Sequence, residues 1–355
     1  MDKNIDGKKW NNWKWQLANS LRSMDDLKKY ITLTDSECEA LQNVGEFAFS
    51  IPPFMAERLR ESDENSPLRI QFIPNHRECS VHFTSKDYLC EGTFEPVPNL
   101  LHKYEDRVAI LTTNCCAAYC RHCTRSRLVS QHFGKNLLNP AIQYIKEHEN
   151  IADVLLTGGD PLILEDYILE DVLEQITSIS HVKMIRIGTR TPVTLPMRIT
   201  PNLIRVLEKY KPLYINIHVN HPMELSHETR NAISMLVDAG FPLGSQSVLL
   251  RGVNDNVDVL EDLFKQLLYL RVKPYYLYQC DELKGCEAFW VSPLKGRKLI
   301  NALNGKLSGM AVPKYVVDMP GRLGKQIIAP CNLTDIHDNE MFLESYKGQK
   351  CSLHI

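Results

Sequence analysis

The sequence predicts an α/β fold: a partial (β/α)6 barrel with a helical N-terminal extension. Three observations predict it. Six short apolar runs rich in Val, Ile, Leu and Tyr recur between residues 108 and 279. Helix-period stretches lie between them. The first hundred residues show neither pattern. Strands buried on both faces that alternate with helices indicate a parallel sheet with βα crossovers.

In chain order, Trp10, Trp13 and Trp15 open a helical stretch. Thr34-Asp35-Ser36-Glu37 resembles an N-cap before a helix over Glu39–Phe49, which Pro52-Pro53 stops. Residues 60–100, rich in Pro, Asn and Ser, read as an irregular connection. The six strands are Val108–Thr113, Val154–Thr157, Met184–Gly188, Leu213–Val219, Leu243–Leu250 and Val272–Gln279. The helices between them are Pro140–His148, Leu164–Ile179, Pro201–Tyr210, Leu225–Ala239 and Val257–Leu270. A seventh run, Val312–Asp318, either extends the sheet or stands apart. This divides the chain into an extension (1–100), a barrel (101–290) and a C-terminal segment (291–355). In such folds chemistry gathers at the C-terminal ends of the strands.

Composition excludes several classes. The 355 residues carry a formal net charge of −2, unlike a protein that binds nucleic acid by neutralising phosphates. No apolar run approaches the roughly 20 residues that cross a membrane. Met1-Asp2-Lys3-Asn4 starts no apolar leader, so a cytoplasmic location is expected. The eleven cysteines then read as reduced thiols, some of them metal ligands.

The loop after the first strand carries Cys116-x3-Cys120-x2-Cys123. Zinc would want a fourth protein ligand, and His122 is too close to Cys123 to fold back onto the same ion. Three thiols with one vacancy suit a [4Fe–4S] cluster whose fourth iron takes an outside ligand. Later strand ends carry Thr157-Gly158-Gly159-Asp160-Pro161, Arg186 and Arg190, His218 and His221, Gln246, and Asp281. The run at Val312 leads into Asp318-Met319-Pro320-Gly321-Arg322-Leu323-Gly324-Lys325.

The three-cysteine spacing, with Tyr119 before Cys120, resembles the radical S-adenosylmethionine (SAM) enzymes. The string Tyr119-Cys120-Arg121-His122-Cys123-Thr124-Arg125 is similar, more narrowly, to the lysine 2,3-aminomutase family. The likeness runs from the Trp-rich start to about Pro330. It implies a partial (β/α)6 radical SAM barrel with a C-terminal segment carrying a pyridoxal phosphate (PLP) lysine.

For the site, it implies that Cys116, Cys120 and Cys123 hold the cluster. Gly158, Gly159, Asp160 and Gln246 would contact SAM. Lys325 would condense with the PLP aldehyde, with Lys103, Tyr104 and Arg107 at the PLP phosphate. Arg125 would hold the substrate carboxylate, and Asp281 and Asp318 its distal cation. Arg322 and Leu323 replace two glycines of the family's Asp-x-Pro-Gly-Gly-Gly-Gly-Lys pattern.

The implied reaction moves the α-amino group of a basic L-amino acid to the β-carbon through a 5′-deoxyadenosyl radical. Lysine leads and arginine competes, because two carboxylates also suit a guanidinium. A one-electron reductant such as flavodoxin or ferredoxin is implied, and a homo-oligomer is allowed. Asn256 stands where longer members carry a zinc-binding Cys, and the tail offers Cys331 and Cys351, so no structural zinc is expected. Two other readings stay open: a relative making β-lysine for translation-factor modification, and a non-catalytic Fe–S protein.

Overall fold

The computed structural model describes residues 6–42, 49–79, 82–129, 138–331, 333–338, 340–345 and 348–354. Its centre is a nine-stranded sheet in the order β1 to β9. The strands are β1 Leu100–Tyr104, β2 Arg107–Thr113, β3 Asp153–Gly158, β4 Met184–Thr189, β5 Leu213–His218, β6 Leu243–Leu249, β7 Lys273–Gln279, β8 Lys314–Met319 and β9 Gly324–Ala329. Strands β2 to β8 pair in parallel, whereas β1 and β9 pair antiparallel to their neighbours.

The six expected strands are β2 to β7. The seventh run is β8, and it extends the sheet. The five expected helices are Asn139–Glu147, Asp166–Thr177, Pro201–Glu208, His227–Asp238 and Val257–Tyr269. Each lays an apolar stripe on the sheet. Leu169, Val172, Leu173 and Ile176 do so from one helix, and Leu260, Leu263, Phe264 and Leu267 from another. They join Ile110, Leu156, Ile187, Ile215 and Leu277 of the strands in one buried core.

Three features depart from the sequence reading. Leu100–Tyr104, given no element between the irregular stretch and the first expected strand, is an edge strand. After the Pro-Gly-rich turn the chain runs back as a further strand, β9, which the sequence reading did not include and which carries Lys325. The chain then adds a helix, Pro293–Leu303, before β8, and a separate antiparallel sheet after β9: β10 Leu333–His337, β11 Glu340–Glu344 and β12 Lys350–His354.

The extension has its own core, in which Leu27, Ile51, Phe54, Met55, Leu59 and Phe72 pack together and reach Ala118 of the barrel. Thr34 and Glu37 cap a helix over Asp35–Gln42 as expected, each taking the other's backbone N–H. The rest of the predicted Glu39–Phe49 helix includes residues 43–48, which lie outside the described residues. Among the described residues no helix is long and apolar enough to cross a membrane.

Candidate active site

All fourteen candidate residues line one of two adjoining cavities at the C-terminal side and interior of the barrel. The smaller, about 320 Å³, holds Cys116, Cys120, Cys123, Gly158, Gly159, Asp160 and Asp281. The larger, about 660 Å³, holds Lys103, Tyr104 and Arg107. Arg125, Gln246, Asp318 and Lys325 line both and mark where the two meet.

The thiol loop is gripped from outside by the extension. Tyr119 N–H donates to Ser50 O and Arg121 N–H to Gln71 O, both at 2.9 Å. The buried Arg121 guanidinium pairs with Glu78 at 2.6 Å. Burial pushes the Cys116 thiol up and the Cys123 thiol up to about 12, aided by the neighbouring cysteines. Metal binding reverses this, since a thiolate bound to a cation is deprotonated. Among the described residues no three ligating side chains already stand in metal-holding geometry. The three thiols nevertheless share one cavity, where the buried atoms Arg190 Nε and His122 Nδ1 have no hydrogen-bond partner. That donor set fits a cluster, which Cys116, Cys120 and Cys123 would hold.

The turn after β3 is shaped for close approach. Gly158 has φ +115°, and a Cβ there would stand 2.6 Å from Thr113 O. A Cβ on Gly159 would collide with the Cys115 backbone. The turn is tied to the thiol loop by Asp160 N–H donating to Cys115 O at 2.8 Å. The Asp160 carboxylate is fully taken up inside the protein. It accepts from Thr189 Oγ1 (2.7 Å) and from the backbone N–H groups of Arg190 (2.7 Å), Thr191 (2.9 Å) and Leu162 (3.1 Å). The two glycines let this turn press against β2 and the thiol loop, so that its backbone borders the thiol cavity where SAM would sit, with Asp160 holding its shape.

The larger cavity lies at the seam where the two edge strands face each other. Tyr104 Oη on β1 accepts Lys325 N–H on β9 at 3.1 Å. Lys103 Nζ donates to Asp318 Oδ1 (2.9 Å) and Met319 O (3.0 Å). Lys325 Nζ donates to Asp318 Oδ2 (2.9 Å) and stands 5.7 and 5.8 Å from the ring centres of Tyr104 and Tyr278. Burial would raise the Asp318 carboxyl, but Lys325 and Lys103 hold it below the usual carboxylate range. Arg107 stacks on Tyr104 with its guanidinium carbon 4.1 Å from the ring centre. A lysine amine near two aromatic rings, with cationic and hydroxyl donors nearby, fits PLP.

Asp281 accepts from Thr124 Oγ1 at 3.0 Å. Burial, opposed by that bond and reinforced by Asp318, pushes its carboxyl up to about 6. Arg125 is held by Glu91 through Nε (2.9 Å) and a second nitrogen (2.8 Å).

Sequence reasoning missed Glu91, which lies 34 residues from Arg125, and Thr124. It named Arg190 but not its contact with Cys120 Sγ at 2.7 Å. The Arg186 pairing is also new: its partner, at 2.8 Å, is Asp153 at the start of β3. His218 lines the thiol cavity, and burial drives it down to about 3, so it is neutral. His221 caps a short turn by accepting Met223 N–H.

A parallel barrel whose first βα loop offers three thiols to one cavity defines a radical SAM enzyme. The sequence profile of the Radical SAM superfamily accordingly matches residues 110–263. The chain is 42% identical over 351 residues to L-lysine 2,3-aminomutase of Clostridium subterminale, covering 98% of this chain and 84% of that protein. The enzyme of the same name from Fusobacterium nucleatum is 42% identical over 352 residues, with coverage of 97% and 82%. Glutamate 2,3-aminomutase of Clostridioides difficile is 41% identical over 344 residues, with coverage of 96% and 82%. The chain belongs to the lysine 2,3-aminomutase family and is a radical SAM isomerase of the 2,3-aminomutase type, with a [4Fe–4S] cluster, SAM and PLP as its cofactors.

Proposed function

We propose that this aminomutase acts on L-lysine, moving its amino group from Cα to Cβ. The observation that carries the reading is the pair Asp281 and Asp318, both lining the cavity that also holds Arg125 and Lys325. A cationic side chain suits that pair, and the α-carboxylate suits the guanidinium of Arg125. A glutamate side chain would meet two carboxylates there. When bound, the cluster and SAM supply a primary carbon radical, and PLP supplies a conjugated ring that spreads an unpaired electron.

The chain's own residues do the rest. Cys116, Cys120 and Cys123 hold the cluster, Gly158 and Gly159 seat the turn that borders SAM, and Gln246 faces both cavities. Lys325 is the amine that engages PLP, backed by Tyr104. Arg107 and Lys103 supply cations for its phosphate. Asp318 holds both lysines in the free protein. Asp318 lies between these lysines and the cavity that holds Asp281 and Arg125, where a substrate's distal ammonium would meet it. Glu91 anchors Arg125 and so aims its remaining donors at the substrate carboxylate.

We place the enzyme in the cytoplasm, where a flavodoxin- or ferredoxin-type protein would supply the electron. The test is anaerobic turnover with SAM and dithionite on L-lysine, L-arginine and L-glutamate, with the amino position of the product read by NMR. β-Lysine as the main product supports the assignment. Turnover of arginine in preference to lysine moves it to the guanidinium substrate, and unchanged lysine refutes it.

A further inference from the structure

Behind the thiol loop, a buried polar network ends on a single sulfur. Arg190, just past β4, donates Nη1–H to Cys120 Sγ at 2.7 Å. Its Nη2 donates to Gln71 Oε1 (2.6 Å) and Glu224 Oε2 (2.8 Å), and its guanidinium lies 4.6 Å from the Phe72 ring centre. Glu224 Oε1 accepts the backbone N–H groups of Asn220 and His221, both at 2.9 Å, and Gln71 Nε2 at 3.1 Å. Asn220 Nδ2 donates to Gln71 Oε1 (2.9 Å) and lies 3.3 Å from His122 Nε2. Gln71, Phe72, Asn220 and Glu224 are fully buried, and Arg190 is 7% exposed.

This arrangement is costly unless it acts on something. A guanidinium in dry surroundings is balanced by one carboxylate, and Arg190 keeps its charge under all ordinary conditions. Its remaining reach is toward a thiol and into the thiol cavity, where Arg190 Nε has no partner. Hydrogen bonds and charges at cluster sulfurs set reduction potential, and a nearby cation favours the state that has gained an electron.

We infer that Arg190 is a positioning residue of the cluster. Its hydrogen bond orients Cys120 and raises the cluster's reduction potential, and Glu224 moderates that effect. The inference rests on the assignment of Cys116, Cys120 and Cys123 as cluster ligands.

The test uses the full chain, reconstituted anaerobically with iron and sulfide and free of substrate. Iron and sulfide are counted per chain, and the potential is read by an EPR-monitored redox titration. Arg190→Met is expected to lower the equilibrium constant for one-electron reduction about tenfold or more, which is about 59 mV for a one-electron couple. Arg190→Lys keeps the charge and restores part of that loss. Glu224→Gln removes the balancing anion and moves the potential the opposite way, upward, which a merely structural role would not do.

An unchanged potential in Arg190→Met at full iron content overturns the inference and leaves the ligand assignment standing. Should Arg190→Met assemble no cluster, Glu224→Gln decides: an upward shift supports the inference, and a downward shift or none overturns it. A chain with Arg190 intact that retains its cluster after Cys116, Cys120 and Cys123 are replaced refutes the ligand assignment, and the inference with it.

Discussion

Between β2 and β7 the sheet is held by main-chain ladders and by side chains buried on its helix-covered face, while the other face lines the cavities. Between its two edges, β1 and β9, the junction is made by side chains: Tyr104 to the Lys325 N–H, and Lys103 to Asp318 and Met319. The first region is stable because its polar backbone is satisfied by repetition. The second is a seam, and a seam leaves room. Lys103, Tyr104, Arg107, Asp318 and Lys325 all lie along it and line the larger cavity. The body of the barrel positions the thiol loop and the glycine turn, and the seam positions the amine.

The sharpest way to break this comparison is to remove the seam's reactive group. Lys325→Ala should abolish turnover and the visible absorbance of bound PLP, while iron and sulfide per chain stay at the wild-type level. Loss of the cluster as well would mean that the seam and the thiol loop are not separable regions.

Next in size is the substrate's distal cation. Asp281→Asn should raise KM for lysine about 10–100-fold, the equivalent of a lost charged hydrogen bond of roughly 1.5–3 kcal/mol. The pH dependence sharpens it. Burial pushes the Asp281 carboxyl up to about 6, so this group is neutral below that pH and ionised above it. The substrate cation binds the ionised form, so KM should rise as pH falls through 6, by up to about tenfold per unit. Asp318, held below the usual carboxylate range by Lys325 and Lys103, stays ionised in that window. Asp281→Asn should therefore flatten the acid limb. An acid limb that persists in the variant would assign the titration to another group.

The two regions also differ in how legible they were in the sequence. Strands β2 to β7 and their helices announce themselves because the helix-covered face of each strand demands regularly spaced buried residues, alternating cleanly in β4 and β6, and burial on one face of a helix demands a helical period. The seam makes no such demand. In β9, Gln326 and Ile327 are exposed and Gly324 and Ala329 buried, a pattern with no clean alternation. Strands β10 and β12 are almost wholly exposed and carry no apolar period.

The site residues were legible through family likeness, but their partners were not. Lys103 and Asp318 are 215 residues apart, and Arg190 and Gln71 are 119 apart. Polar contacts at such separations leave no local pattern.

In the barrel's body, Gly158→Ala tests the turn rather than the seam. The new Cβ would stand 2.6 Å from Thr113 O at a backbone φ of +115°. A cost of about 1–3 kcal/mol is expected for that strain, read as lowered stability in chemical denaturation. SAM binding should weaken while PLP absorbance is kept. A variant with native stability and SAM affinity would show that the turn relaxes freely, and the SAM site would then not depend on glycine.

The smallest effect should come from the seam's neutral tie, between Tyr104 and the Lys325 N–H. Tyr104→Phe keeps the ring that faces Lys325 and stacks on Arg107, but removes the oxygen that accepts Lys325 N–H. The loss of one hydrogen bond is worth about 1 kcal/mol, a fall of roughly 2 °C in melting temperature for a large chain. Because a glycine at 324 with φ +67° packs within 3.1 Å of that same oxygen if given a Cβ, the strand sits close against Tyr104 and has little room to shift. PLP affinity should fall only a few-fold, since Arg107 and Lys103 remain. If instead Tyr104→Phe loses PLP as completely as Lys325→Ala does, the hydroxyl acts on the cofactor itself, and the seam is held by Lys103 through Asp318 and Met319 O.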